Sequence, residues 1–174
     1  ELVDFIIDKV RFILKNQNFR DDIITSVFSL KDAKSYLFPI LYERVKHIND
    51  VKDTSDFKLF LVNFKRLNNI IKSNKFSDIS DVKVNPDLFE TPEEKEIYNK
   101  SDNLNFNLKK YLINLDYQKS ILQEIINLQY PINSFFETVI VNHEEKIIKN
   151  NRIALLTKLS DSILEFSNFG LIED

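Results

Sequence analysis

Apolar residues recur every three or four positions along most of the chain, the spacing of one face of an α-helix. The pattern predicts helices over residues 2–14, 21–30, 32–47, 55–71, 92–115, 117–128, 133–141 and 144–169. In the third of these, Pro39 is expected to kink or split the helix, because proline lacks an N–H donor and its ring clashes with the preceding turn. The spacing therefore predicts an all-α bundle of about seven or eight helices.

Helix start and stop signals support this pattern. Thr91 can cap a helix that has Pro92 at its first position and Glu94 three residues after the cap. Ser55 is the expected cap of the fourth helix. Gly170, the only glycine, is expected to end the last helix in a left-handed conformation.

Length and composition limit the class of protein. The 174 residues fit one helical domain over residues 1–174, and the absence of cysteine excludes thiol catalysis, disulfides and cysteine-ligated zinc. No apolar run approaches the roughly 18–20 residues that span a bilayer, and no signal peptide opens the chain. Because methionine is also absent, we expect the sequence to be a fragment of a longer protein.

The residues that usually carry catalysis or bind metal are sparse. His47 and His143 are the only histidines, and neither has a second histidine at zinc-ligand spacing. His143 is followed by two glutamates, which fits the acidic start of a helix better than half of a metal site. A chain with one glycine has no glycine-rich phosphate loop and no Gly-x-Ser-x-Gly elbow. The sequence therefore predicts no active site.

Basic residues are concentrated in the first part of the chain. Residues 1–75 have a balance of +4, whereas residues 76–174 have a balance of −7. On the predicted fourth helix, Lys65, Asn68, Asn69 and Lys72 share one flank, and a second basic stretch covers 146–152. Such faces can contact phosphates through lysine and base edges through asparagine, or they can be ordinary solvated helix surface.

Five stretches, in the same order, resemble the C-terminal anticodon-binding domain of the β subunit of bacterial glycyl-tRNA synthetases. They are 8–11 (DKVR) with 19–24 (FRDDII), 64–70 (FKRLNNI), 85–90 (NPDLFE) with 93–95 (EEK), 131–141 (PINSFFETVIV) and 151–156 (NRIALL). Together the ordered matches span nearly the whole chain.

The resemblance implies a helical domain without catalytic residues or cofactors of its own. The parent enzyme is a cytoplasmic α2β2 heterotetramer that charges tRNA with glycine using ATP and Mg²⁺. The implied partners are the anticodon stem-loop of tRNA(Gly), the rest of the β subunit and the α subunit, with no membrane or DNA partner. Glycine anticodons share two cytosines, so the domain is expected to read that pair, since RNA readout usually targets splayed loop bases.

Eight residues are the candidates for RNA binding: Lys65, Arg66, Asn69, Lys72, Arg11, Arg20, Asn151 and Arg152. Phosphate contacts are expected from Lys65, Lys72 and Arg20, and base contacts from Arg66, Asn69 or Arg152. Alternatively, Arg66 and Asn69 tie helix ends together inside the bundle, and Arg11 and Arg152 are buried ion-pair partners.

Two other functions remain open. The chain can be a helical docking module of the same synthetase without direct RNA readout, using its acidic second half and exposed aromatics such as Phe135 or Phe136. An independent hydrolase is the third hypothesis, and almost no residue in the sequence supports it.

Overall fold

A computed structural model describes residues 2–30, 38–74 and 83–173 of the chain. These residues form eight α-helices: α1 (Leu2–Asn16), α2 (Asp21–Phe28), α3 (Phe38–Val51), α4 (Ser55–Ser73), α5 (Pro92–Tyr111), α6 (Gln118–Asn127), α7 (Gln129–Thr138) and α8 (Lys146–Leu164). Short 3-10 turns lie at Pro86–Leu88, Leu115–Tyr117 and Phe169–Leu171. Because the described ranges contain helices and no strand, the predicted all-α fold with seven or eight helices is confirmed.

Helices α4 and α8 form the centre of the bundle. α4 and α5 each pack on α6, α7 and α8. Buried residues occur around most of the circumference of α8, so its sequence lacks the one-sided apolar stripe of a surface helix. One long flank of α4 and part of α8 still face solvent, and the candidate site lies there.

The C-terminal segment folds back onto this centre. The ring of Phe169 is fully buried, with centroids 5.1–6.4 Å from those of four other rings: Phe57, Phe60, Phe64 and Phe166. The backbone N–H of Asn168 donates a 2.9 Å hydrogen bond to the carbonyl of Ser26 in α2. These contacts hold the last residues of the chain beside α4.

The predicted start of α5 is confirmed by its capping box. The Thr91 hydroxyl accepts from the Glu94 N–H at 3.3 Å, and the Glu94 carboxylate accepts from the Thr91 N–H at 3.0 Å. At α4 the prediction was one residue late, because Thr54 and not Ser55 is the cap. Its hydroxyl accepts from the Phe57 N–H at 3.3 Å.

Pro39 and Pro131 each lie in the first described turn of a helix. Residues 32–37 of the predicted third helix lie outside the described residues, but α3 is unbroken from Phe38 to Val51, with Pro39 in its first described turn. A kink or split at Pro39 would involve the turn before it, which lies outside the described residues, so that expectation stays a prediction. Pro131 lies inside the first turn of α7 and not before it, because first-turn N–H groups have no intrahelical acceptor to lose.

The expected glycine cap is also wrong. Helix α8 ends at Leu164, five residues earlier than predicted, and Gly170 lies in the 3-10 turn Phe169–Leu171. Gly170 does not have a positive φ, and Asn18, just after α1, has one of 63°. Burial of Phe169 in the aromatic cluster turns the chain before the helix can reach Gly170.

Candidate nucleic-acid interface

The outward flank of α4 carries four of the predicted RNA-binding residues. Phe57, Phe60, Phe64 and Leu67 of α4 are fully buried, and this inward stripe fixes which side of the helix faces solvent. Arg66, Asn69 and Lys72 are exposed, and Lys65 is half-buried beside them. We call Lys65, Arg66, Asn69 and Lys72 the α4 basic face.

An open groove runs along one side of the α4 basic face. It has a volume of about 460 Å³ and separates α4 from the second half of α8 and the C-terminal segment. From α4 the lining includes Lys65, Asn68, Asn69 and Lys72, and the opposite wall includes Thr157, Ser160, Asp161, Asn168 and Gly170. We call this the α4–α8 groove, and its walls carry both cations and hydrogen-bonding groups.

Arg66 lies against an aromatic ring on the other side of the α4 basic face. Its guanidinium carbon is 4.4 Å from the centroid of the Phe136 ring on α7. Such a cation–π contact restricts a long side chain while leaving its hydrogen-bond donors accessible. Both Arg66 and Asn69 are exposed. They therefore do not tie helix ends together inside the bundle, as the alternative interpretation had it.

Arg11 and Arg20 lie away from the groove lining and contact protein groups. The Arg11 guanidinium donates to the Thr25 hydroxyl at 3.2 Å, which joins α1 to α2. The Nε and one terminal nitrogen of Arg20 donate to the two carboxylate oxygens of Asp22. The same terminal nitrogen donates to the Glu173 carbonyl at 2.9 Å. Burial acts to raise the pKa of Asp22, but the hydrogen bonds from Arg20 and from the Glu173 and Ile23 N–H groups lower it. Both arginines therefore hold parts of the fold together.

Asn151 and Arg152 lie inside the bundle, where an RNA strand cannot reach them. The Asn151 side chain is 2% exposed; its amide donates to the Asn85 carbonyl at 3.0 Å and accepts from the Asn85 N–H at 2.7 Å. Arg152 is 3% exposed and pairs with Glu94, as expected for a buried ion-pair partner. Burial therefore removes both residues from contact with a ligand in solution.

Arg152 binds two carboxylates and a carbonyl. Its Nε donates to Glu94 at 2.9 Å, and its terminal nitrogens donate to Glu90 at 2.7 Å and to the Ile140 carbonyl at 3.0 Å. Burial acts to raise the pKa of Glu94, but hydrogen bonds from Arg152 and from the Glu90 and Thr91 N–H groups lower it below its usual value. The Glu94 carboxylate is thus charged at neutral pH and belongs to an ion pair that joins α5 to α8.

The aromatics proposed for a docking surface are not free. Phe135 is fully buried in α7, and Phe136 is half-buried with Arg66 over its ring. The prediction that these two rings are exposed is therefore wrong. The periodicity of α7 alone does not show that α4 packs on this helix and places Arg66 over Phe136.

Three residues of this surface were missed from the sequence. Lys58 is exposed and lies seven residues before Lys65 on α4, so two helical turns place it on the same side. The seven-residue spacing of Lys58, Lys65 and Lys72 was a readable signal. Asp161 and Asn168 join the groove only because α8 and the C-terminal segment pack beside α4, and no local pattern indicates that.

The described residues offer little for other chemistry. In residues 2–30, 38–74 and 83–173, no three histidine or carboxylate side chains lie close enough together to hold a metal ion. The Nδ1 of His143 accepts from the Glu145 N–H at 3.1 Å just before α8, which agrees with the helix-start interpretation. None of the helices in these ranges has the length and apolar character needed to cross a membrane.

Comparison with known proteins bears on the same surface. The chain is 31% identical over 169 residues to the glycine–tRNA ligase β subunit of Sulfurihydrogenibium sp. (strain YO3AOP1), covering 97% of the chain and 24% of that relative. It is 30% identical over 172 residues to the glycine–tRNA ligase β subunit of Buchnera aphidicola subsp. Schizaphis graminum. That match covers 99% of the chain and 24% of the relative. The chain therefore spans about a quarter of the length of the curated relatives it matches.

A family model covers the two helices that border the groove, α4 in large part and α8 entirely. The model of the DALR anticodon binding domain matches residues 60–166, which include the α4 basic face and all of α8. This match extends over more than half of the 174 residues. With its all-helical fold, the chain belongs to the DALR anticodon binding domain family.

Proposed function

We propose that the chain is the anticodon-binding domain of a glycyl-tRNA synthetase β subunit and binds the anticodon stem-loop of tRNA(Gly) along α4. The observation that carries the proposal is the α4 basic face, whose cations and amide border an open groove. In the parent α2β2 enzyme, this cytoplasmic domain holds the tRNA without a cofactor. Glycylation with ATP and Mg²⁺ takes place on other parts of the enzyme.

The spacing of the lysines along α4 supports contact with an RNA backbone. Lys65 and Lys72 are seven residues apart, and at about 1.5 Å of rise per residue their Cα atoms lie roughly 10 Å apart along the helix. Lys58 extends this row by another two turns. A row of cations along one helix can contact successive phosphates and position the loop without reading its bases.

Base recognition is proposed for Arg66 and the α4–α8 groove. Arg66 lies over Phe136, so its guanidinium is already restrained when a loop base stacks or hydrogen-bonds with it. Across the groove from Lys65, the Asp161 carboxylate can accept a hydrogen bond from the exocyclic amino group of cytosine. Uracil has a carbonyl at that position, so a carboxylate there favours cytosine.

The first experiment titrates the chain with a fluorescent tRNA(Gly) anticodon stem-loop at several salt concentrations. We expect Lys72→Ala to weaken binding and to reduce the slope of log affinity against log salt by about one, because one phosphate contact is lost. Lys109→Ala is the matched control, since it removes the same charge from an exposed position near the end of α5. Equal slopes for the two variants would remove Lys72 from the interface.

A second titration replaces the two anticodon cytosines by uracils. We expect the unchanged chain to prefer the cytosine loop and Asp161→Asn to reduce that preference, because an amide can donate to the uracil carbonyl as well as accept from the cytosine amino group, and its neutral oxygen is a weaker acceptor than a carboxylate. Equal weak binding of both loops by the unchanged chain would leave only a phosphate-holding role. Absence of binding to either loop would favour the docking-module hypothesis.

A further inference from the structure

Helix α1 has apolar residues on two sides, and the described bundle covers only one of them. Val10 and Ile7 pack partly against the core, and Leu14 is the one buried residue of the helix. The other side, which we call the α1 outer face, has exposed fractions of 72%, 57%, 62% and 51% at Leu2, Phe5, Phe12 and Ile13. Contiguous exposed apolar surface of this kind marks an interaction site more often than a free surface.

The helical spacing makes these four residues one surface. At 100° per residue, Leu2, Phe5, Phe12 and Ile13 fall within about a quarter of the circumference. Lys9 is the one charged residue among them, and its ammonium lies 5.4 Å from the centroid of the Phe5 ring. A partner of this face therefore has an apolar surface with an acidic group opposite Lys9.

The attachment of α1 to the bundle leaves this face uncovered. The Lys15 ammonium is 2.6 Å from the Asp21 carboxylate, and Arg11 donates to Thr25. Both contacts are in the second half of α1 and bind α2. They orient the helix with its outer face away from the described bundle.

We infer that the α1 outer face docks on another domain of the same β-subunit polypeptide. The inference rests on the proposed function, because it takes the chain as one domain of that subunit. The matched relatives are about four times as long as the chain, while nearly all of the chain lies within each match. In such a subunit a neighbouring domain is covalently linked, so a small apolar contact suffices because the effective concentration is about millimolar.

The test uses the full-length subunit with a cysteine at Phe12 or, as a matched control, at Phe106. These two rings are almost equally exposed, at 62% and 65%, but Phe106 lies on α5, away from the α1 outer face. The chain has no native cysteine, so each variant introduces its only thiol in this segment. Maleimide labelling of the peptide that contains it is followed by mass spectrometry, and each rate is divided by the rate in denaturant.

We expect Phe12→Cys to label at least tenfold more slowly than its denatured reference, at a rate independent of protein concentration. Labelling within about twofold of that reference would overturn the inference. Protection that disappears on dilution would overturn it in favour of a second copy, and protection that requires the α subunit would overturn it in favour of that subunit. Stem-loop binding by the same variant is measured separately, so failure of the RNA proposal is distinguishable from failure at α1.

Discussion

Replacement of Arg152 by methionine tests whether this residue acts through the fold or through RNA. Methionine keeps much of the side-chain volume but removes the charge and the donors to Glu94, Glu90 and the Ile140 carbonyl. Glu94 is fully buried, so its carboxylate is left without its charged partner. Removing one member of a buried ion pair costs about 3–5 kcal/mol. Glu90 is 47% exposed and contributes at most about 1 kcal/mol.

The assay is urea unfolding followed by far-ultraviolet circular dichroism at pH 7. Arg152→Met should lower the free energy of unfolding by about 3–5 kcal/mol, a large share of the roughly 5–15 kcal/mol of a typical domain. Lys146→Met, which removes an exposed cation from the same helix, should change it by less than about 0.5 kcal/mol. The double variant Arg152→Met/Glu94→Gln should be destabilised less than the sum of its single variants, because no uncompensated carboxylate remains.

A decrease of less than about 1 kcal/mol in the free energy of unfolding of Arg152→Met would refute the reasoning. A fully buried carboxylate without its charged partner destabilises the fold by more than that. Weaker stem-loop binding at unchanged stability would also refute it. That result would return Arg152 to the RNA interface.

Three further predictions concern the interface, the core and pH. Arg66→Lys should weaken stem-loop binding by about two- to fivefold in the anisotropy titration, because an ammonium does not replace a planar guanidinium over a ring. Unchanged affinity would exclude Arg66 from base recognition. Phe169→Ala should lower the free energy of unfolding by about 3–5 kcal/mol, whereas the exposed Phe106→Ala should change it by less than about 0.5 kcal/mol; similar urea midpoints would contradict the aromatic-cluster argument. Because the folded-state pKa of Glu94 is lowered, its stabilisation is present above the unfolded pKa of about 4.3 and is lost as pH falls through the lower folded value. Glu94→Gln should therefore flatten the fall in stability below about pH 4.3 in urea titrations, and a slope like that of the unchanged chain would assign the acid sensitivity elsewhere.

The candidate site divides into residues that local pattern could identify and residues that it misassigned. Lys65, Arg66, Asn69 and Lys72 were predictable as one surface because their shared side follows from the pitch of a single helix. Their role in RNA binding stays a prediction. The same pattern placed Arg152 beside polar residues at the start of α8, yet its side chain is buried.

Arginine and asparagine at helix positions have the same local signature whether they face water or a buried carboxylate. The difference for Arg152 is Glu94, 58 positions earlier, and the difference for Asn151 is the backbone of Asn85. Both partners arrive through the packing of α5 and the segment before it on α8. Periodicity within one helix contains no information about such partners.

Helix type, approximate helix bounds and the α5 capping box were readable from the sequence because each depends on residues no more than about four positions apart. The end of α8 was not readable from the sequence, since Phe169 turns the chain by packing against three rings of α4, Phe57, Phe60 and Phe64, that lie far earlier in the chain. Packing also decided that Arg66 lies over Phe136 and that Asp161 faces the same groove as Lys65. These contacts join residues far apart in the chain, and their free energy comes from burying surfaces that only the assembled bundle brings together.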